Sequence, residues 1–251
     1  MKKLLAILTT LLLAVALLSG CGSDKKKVVV GLDDQFPPMG FRDEKNNIVG
    51  FDIDMAREAT KRMGVEVEFK PIDWKSKEAE LKGKRVDMLW NGFTITEQRK
   101  EQVAFSKPYM NNSQAIVVLA GSPIKTKADL AGMVVGVQDG NSVVEEIIKA
   151  PVYKQMKELK KYPDNIAAFM DLKAGRTQAI VLDEVVARYY ITKNPGYDVL
   201  VENFGSEEYG VGMRKEDKDL QDKLGKAFED MKKDGTSAKI SQKWFGKDVV
   251  K

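Results

Sequence analysis

The feature that most constrains this chain is a pattern that occurs twice. A β-branched apolar run stops at a glycine or an acid, and a stretch of helical period follows. The first round opens with "KVVVGLD", ending at Gly31, and continues to "GFDIDMAREATKRMG". There Ile53, Ala56, Thr60 and Met63 fall on one stripe, Asp52 suits the N-cap, and Gly64 ends the helix. "VEVEFKPIDW" alternates as a strand should, "SKEAELKGKRV" is a short helix with a glycine stop, and "VDMLWNG" is the next strand. "DDQFPPMGF" holds two prolines and a glycine and is expected to be irregular. The pattern restarts with "QAIVVLAG", "MVVGVQDGNSVVEEIIK", "NIAAFMDLKAG", "TQAIVLD" and "EVVARYYITKN". "YDVLVEN" and "EEYGVGMRK" read as two separate strands. The tail reads as a long amphipathic helix striped by Leu220, Leu224, Ala227 and Met231, then a shorter one. Strands alternating with helices predict two α/β halves with mostly parallel sheets. Such sheets bind ligands in a crevice at the carboxyl ends of their strands.

The 251 residues contain no histidine, which excludes a Ser-His-Asp triad, a His-ligated zinc and a His general base. One cysteine, Cys21, excludes an intrachain disulfide and a multi-Cys metal site. The formal charge of +4 includes Lys2 and Lys3, and lysines and acids are mixed throughout. This is no nucleic-acid footprint. Residues 1–20, "MKKLLAILTTLLLAVALLSG", place two lysines before an apolar run too short for a comfortable membrane span and read as a secretory signal peptide. "LSGC" resembles a lipobox, with cleavage before Cys21 and a lipid on its thiol. The alternative is a simple signal peptide with a chance cysteine. Residues 21–27 then form a polar tether.

Four constellations carry possible chemistry. In "LWNGFTITEQR", Asn91 and Gly92 follow a strand, and Gly92 lets backbone approach a ligand. Thr94 offers a hydroxyl, and Arg99 a planar fork able to grip a carboxylate. Alternatively Thr94 and Thr96 cap a short helix and Arg99 is a surface cation. In "QDGNS", Gln138 ends a strand, and Asn141 and Ser142 open a helix whose amides attract anions. The alternative is an ordinary cap. Asp183 ends "IVLD", where it can hold an ammonium group or cap the next helix. Asp33, Phe36 and Trp74 can flank a cationic or planar side chain, or the two aromatics can be core. Trp90 is expected in the core. Together these groups can hold an L-amino acid by its backbone and read its side chain.

Nearly the whole mature chain resembles the polar amino-acid-binding proteins of ABC importers, the family 3 solute-binding proteins, in their lipoprotein form. The phrases that carry the resemblance are "VGLDDQFPPMGF", "GFDIDMAREATKRMG", "DMLWNGFTITEQRKEQVAFSKPY", "GVQDGNSVVE", "AIVLDEVVA", "EEYGVGMRK" and "WFGK". The resemblance implies an α/β, two-lobed periplasmic-binding-protein-like fold of type II, with a ligand cleft between lobes joined by two crossover strands. Lobe 1 would comprise 28–109 and 209–251, and lobe 2 would comprise 110–208. Crossovers would lie near Tyr109–Gln114 and Ser206–Gly210. It also implies carboxylate binding at Arg99 and Thr94, ammonium binding at Asp183, and aromatic walls at Phe36 and Trp74. Asn91 and Asn141–Ser142 depart from the family's usual residues at those places. Glutamine binders tend to carry lysine or histidine near Gln138 and Leu182, and their absence weakens glutamine; Asp33 with Phe36 and Trp74 favours a cationic side chain, arginine before lysine. The expected protein captures a polar L-amino acid by jaw closure and hands it to an ABC permease. It would be exported, lipid-anchored to the membrane, monomeric, and without cofactor, metal or nucleic acid. The alternatives are a binder of glutamine or another neutral amino acid, a dehydratase-like enzyme on the same scaffold, and an adhesive or signalling lipoprotein.

Overall fold

The computed structural model describes residues 26–251. Cys21, the expected signal peptide and most of the expected tether lie outside those residues. In chain order the first half comprises β1 (Lys27–Leu32), β2 (Gln35–Phe36), β3 (Gly40–Arg42), β4 (Ile48–Val49), α1 (Phe51–Arg62), β5 (Glu66–Pro71), α2 (Lys77–Lys82), β6 (Met88–Leu89), α3 (Glu97–Gln102) and β7 (Ala104–Phe105). The second comprises β8 (Met110–Leu119), β9 (Val134–Gln138), α4 (Val143–Lys149), β10 (Glu158–Tyr162), α5 (Asn165–Lys173), β11 (Ala179–Asp183), α6 (Glu184–Lys193) and β12 (Tyr197–Tyr209). The chain then returns through β13 (Gly212–Met213), α7 (Lys218–Lys233) and α8 (Thr236–Phe245).

Two five-stranded sheets result, in orders β5-β1-β6-β13-β7 and β10-β9-β11-β8-β12. They share one plan. In each, three strands run parallel and the last two pairings are antiparallel. The recurrence seen in the sequence is therefore a recurrence of topology, and the fold is the two-lobed α/β arrangement. β8 carries the chain into the second sheet and β12 brings it back. They pair with each other at the crossing, Ser206 opposite Ser113, Glu207 opposite Asn112 and Tyr209 opposite Met110. The largest apolar cluster follows these strands through both halves, from Val28, Met55 and Trp90 to Phe169, Ile180 and Leu182. Trp90 is fully buried, packing edge-on against Phe228.

Three expectations are corrected. "DDQFPPMGF" is not wholly irregular, because Gln35–Phe36 pairs with Gly40–Arg42, which in turn pairs with β4. "YDVLVEN" and "EEYGVGMRK" are not two strands: β12 runs unbroken from the first into the second, with β13 following at Gly212–Met213. Asp52 is not the N-cap. Gly50 holds that place, and Asp52 lies in the first turn, fully buried. Of the expected tail stripe, Leu224, Ala227 and Met231 are buried and Leu220 packs at the edge.

Gly50 is required by geometry. Its φ is +145°, and a Cβ there would come within 2.2 Å of the Met39 carbonyl oxygen. That close approach lets the Pro38 and Met39 carbonyls accept from the Phe51 and Asp52 amides at 2.8 and 2.9 Å, which satisfies the helix start. Gly50→Ala is expected to destabilise the fold by more than about 2 kcal/mol, by forcing backbone to move. Chemical denaturation of the purified variant measures this, and an unchanged midpoint would contradict it.

Candidate functional site

The residues singled out from the sequence lie just past the carboxyl ends of the parallel strands. Asp33 follows β1, Trp74 follows β5, and Asn91 to Thr94 follow β6. Asn141 and Ser142 follow β9, whose last residue is Gln138, and Asp183 is the last residue of β11. A strand directs alternate side chains to its faces, but its end aims backbone and side chains outward together, so the two strand-end clusters can meet.

They do meet. Thr94 Oγ1 lies 3.1 Å from Ser142 Oγ, and Gln138 Nε2 donates to Asp33 Oδ2 at 2.6 Å. Arg99 donates to the Thr94 carbonyl at 2.8 Å and to the Gly140 carbonyl at 3.1 Å, with its guanidinium over the Phe93 ring. Lys77, almost wholly buried, also donates to the Gly140 carbonyl, at 3.0 Å, and to that of Trp74. Lys75 and Asp139 form an ion pair at 2.8 Å. Each of these contacts except Arg99 to Thr94 and to Phe93, and Lys77 to Trp74, joins one half of the fold to the other. A cavity of about 320 Å³ opens beside them, lined by Arg99, Thr96, Asn141 and Ser142 among others.

Asp183 is the hub. It stands at the N-cap position of α6 but makes no capping bond. Its carboxylate instead accepts from Tyr209 Oη at 2.6 Å, Asn141 Nδ2 at 2.8 Å, Asn112 Nδ2 at 3.0 Å and Gln114 Nε2 at 3.2 Å. The reading of Asp183 as a helix cap therefore falls away. Glu207 accepts from the same two amides, Asn112 at 2.6 Å and Gln114 at 2.8 Å, and from Ser142 Oγ at 3.1 Å. Partial burial and the neighbouring Asp183 push the Glu207 carboxyl upward. Burial pushes Asp33 up to about 6, and burial beside Arg99 pulls Lys77 down to about 8.

The remaining residues sort as follows. Thr96, not Thr94, caps α3 through its hydroxyl. Gly92, at φ +57°, lies against two rings: a Cβ there would come within 2.9 Å of Phe36 and 3.2 Å of Tyr209. Its amide donates to Asp52 Oδ2 at 2.7 Å. Trp74 meets Phe93 edge-on at 5.8 Å, with Lys77 5.3 Å from its ring. Asn91 is buried and faces Gly40, where a Cβ would come within 3.1 Å of its Oδ1, and its amide finds no hydrogen-bond partner. Of the amides expected to attract an anion, that of Asn141 is taken by the Gln138 carbonyl at 3.2 Å. Sequence reasoning missed Lys77, Asn112, Gln114, Glu207 and Tyr209. A signal for two of them was present: Asn112 and Gln114 are polar at alternate positions of a strand, in line with the buried Met110 and Ile116.

The sequence profile of the bacterial extracellular solute-binding proteins, family 3, matches residues 28–247. The chain belongs to that family. The L-cystine-binding protein of Escherichia coli (strain K12) is 36% identical over 231 residues, covering 91% of this chain and 86% of that protein. An ABC uptake transporter substrate-binding protein from Streptococcus pneumoniae, solved with bound histidine, superposes with a TM-score of 0.86 at 38% identity, over 89% of this chain and 94% of that one. An ancestral arginine-binding protein, solved with arginine and also with glutamine, gives a TM-score of 0.84 at 44% identity; with arginine the match covers 89% of this chain and 100% of that one. These relatives are amino-acid-binding proteins, and this chain is similar to them over most of its length. Among its described residues there is no cluster suited to a metal ion, and no helix is long and apolar enough to cross a membrane.

The anchor beneath the site has a pH signature. Asp52 Oδ2 holds both the Gly92 amide and Tyr109 Oη, the latter at 2.9 Å, and burial pushes its carboxyl up to about 7. The folded protein therefore keeps that proton at pH values where the unfolded chain has lost it. The associated stability is complete below about pH 4 and is lost as pH rises through about 7. Asp33 acts in the same direction. The melting temperature is expected to fall between pH 5 and 8, and Asp52→Asn should flatten that fall. Equal slopes for the two proteins would refute the assignment.

Proposed function

We propose that the protein captures a cationic L-amino acid, arginine before lysine, in the cleft between its two halves and delivers it to an ABC permease. In this reading Arg99 and Thr94 take the α-carboxylate, and Asp183 takes the α-ammonium. Phe36, Gly92 and Trp74 shape the walls, and Gln138, Asn141 and Ser142 close the far side. The observation that carries the reading is the buried Asp33, held against Gln138 across the two halves at 2.6 Å. A guanidinium entering there would meet a carboxylate already desolvated, and its charge would stabilise the ionised form. The relatives are named for cystine, histidine and arginine, so the preference for a cation rests on Asp33 rather than on them.

The proposed event is binding, not catalysis. The halves, taken as 28–109 with 209–251 and as 110–208, close like a jaw. A ligand bridging Arg99 and Asp183 favours the closed arrangement by its differential affinity for it. Cys21 is proposed to carry a lipid, with residues 21–27 as a tether, so that capture occurs at the outer face of a membrane. The neutral-ligand alternative is glutamine, the second ligand with which the arginine-binding relative was solved.

A thermal-shift screen of the purified protein against the common L-amino acids tests this, because a ligand that binds only the folded state raises the melting temperature. A rise confined to arginine or lysine is expected. A rise with glutamine alone would overturn the cationic preference, and no rise with any amino acid would overturn the binding reading. Arg99→Ala is expected to cost about 2–5 kcal/mol of affinity by calorimetry, as when one partner of a buried charge pair is removed. Unchanged affinity would remove Arg99 from the site.

A further inference from the structure

The function proposed above uses one acid, Asp183, for the ligand's ammonium group. The structure holds a second beside it. Asp183 Oδ1 and Glu207 Oε1 accept from the same two side-chain amides, Asn112 Nδ2 and Gln114 Nε2, at distances between 2.6 and 3.2 Å. Two acids that share both donors are neighbours in the site. A third acceptor is in place: Gln114 is 2% exposed, and its Oε1 is buried with no donor. A buried acceptor without a donor costs free energy unless something supplies one. Among the described residues, no lysine, arginine or backbone amide hydrogen-bonds to either carboxyl group, whose partners are neutral side chains.

Resting on that functional reading, we propose that Glu207 is a second carboxyl group of the ammonium subsite, and that the Asp183–Glu207 pair gives up one proton when a primary ammonium group enters. A primary ammonium group has three N–H donors and one positive charge, which suits two neighbouring carboxyl groups whose present donors are all neutral. Without it, burial and the neighbouring Asp183 favour a proton on Glu207. With it, Glu207 ionises and the proton leaves to the buffer. Partial burial and the Asp183 charge raise the Glu207 carboxyl in the same sense. The titratable or charged groups facing Glu207 are Asp183 at the end of β11, Tyr209 on its own strand and Arg99 on α3. Its neighbours on β8 and before α4, Asn112, Gln114 and Ser142, are neutral. Glu145 in the first turn of α4 acts on Arg99, and Glu184, at the start of α6, is engaged by Ser113 and Arg188.

The test is calorimetry at pH 7 with L-arginine and with L-glutamine, in two buffers of different ionisation enthalpy. Glutamine probes the ammonium subsite without a cationic side chain near Asp33. The wild-type protein is expected to release most of one proton per ligand bound, and Glu207→Gln well under half of that. Wild-type affinity should rise by up to about tenfold per pH unit between pH 5.5 and 7, and the variant's should stay nearly level. Heat that is the same in both buffers for the wild-type protein would overturn this inference and leave the functional reading intact. Proton release unchanged in Glu207→Gln would likewise remove Glu207. No heat with any amino acid would overturn both.

Discussion

The pairing of β8 with β12 is the constraint on which the rest of this structure depends. These two strands carry the chain out of the first half and back. Their contact, Met110 to Tyr209 and Asn112 to Glu207, is where the halves are tied. Strand pairing fixes side-chain direction with a period of two, so a one-residue slip would turn every inward group outward. In the observed register Asn112 and Gln114 both face the site, each donating to Asp183 and to Glu207. The linker between the halves is thus also part of the site's floor.

Electrostatics explain why the cleft needs such a floor. Asp33, Asp52 and Asp183 are all buried, with Glu207 beside them, against two buried cations, Lys77 and Arg99. Burial alone would be costly for each acid. Asp52 is held by an amide and a phenol, Asp33 by an amide and a side-chain amide, and Asp183 by three side-chain amides and a phenol. These donors are neutral. They hold oxygens without supplying positive charge, so a cationic group entering the cleft would draw the raised Asp33 carboxyl toward its ionised form.

Much of this was legible in the sequence, for reasons that can be named. The parallel strands read clearly because "KVVVGL" and "AIVLD" are apolar runs buried on both faces. Strand-end residues such as Asp33, Thr94 and Asp183 stood out because polar groups follow those runs directly. What stayed hidden was short, charged or non-local. β10, "ELKKY", pairs at the sheet's edge, where its lysines can reach water, and so carries no hydrophobic signature. β2 and β3 are two and three residues long, set around two prolines. Asp52 sat where helix-start chemistry predicts a cap, but the Met39 carbonyl approaches too closely for any residue but glycine to precede the helix. Glu207 lies 24 residues from Asp183 along the chain, and only the β12 register brings them together.

The two cations make a further point about how a closing cleft keeps its ligand exchangeable. Lys77 and Arg99 converge on one main-chain oxygen, the Gly140 carbonyl, from the opposite half of the fold. A carbonyl is a weaker partner for a guanidinium than a carboxylate is, because only the latter carries charge. Arg99 Nε also lies 3.7 Å from Glu78 Oε1, so a carboxylate reaching the guanidinium would replace the Gly140 contact of a group already partly paired. The net gain is the difference between the two. A binding protein that must hand its cargo on benefits from a modest difference, since release then requires only that the Gly140 contact re-form. The same contact gives the two halves a reason to meet before the cleft is filled, with Lys75–Asp139 and Thr94–Ser142 alongside it. In the proposed jaw closure, ligand would shift a balance toward the arrangement that these contacts hold.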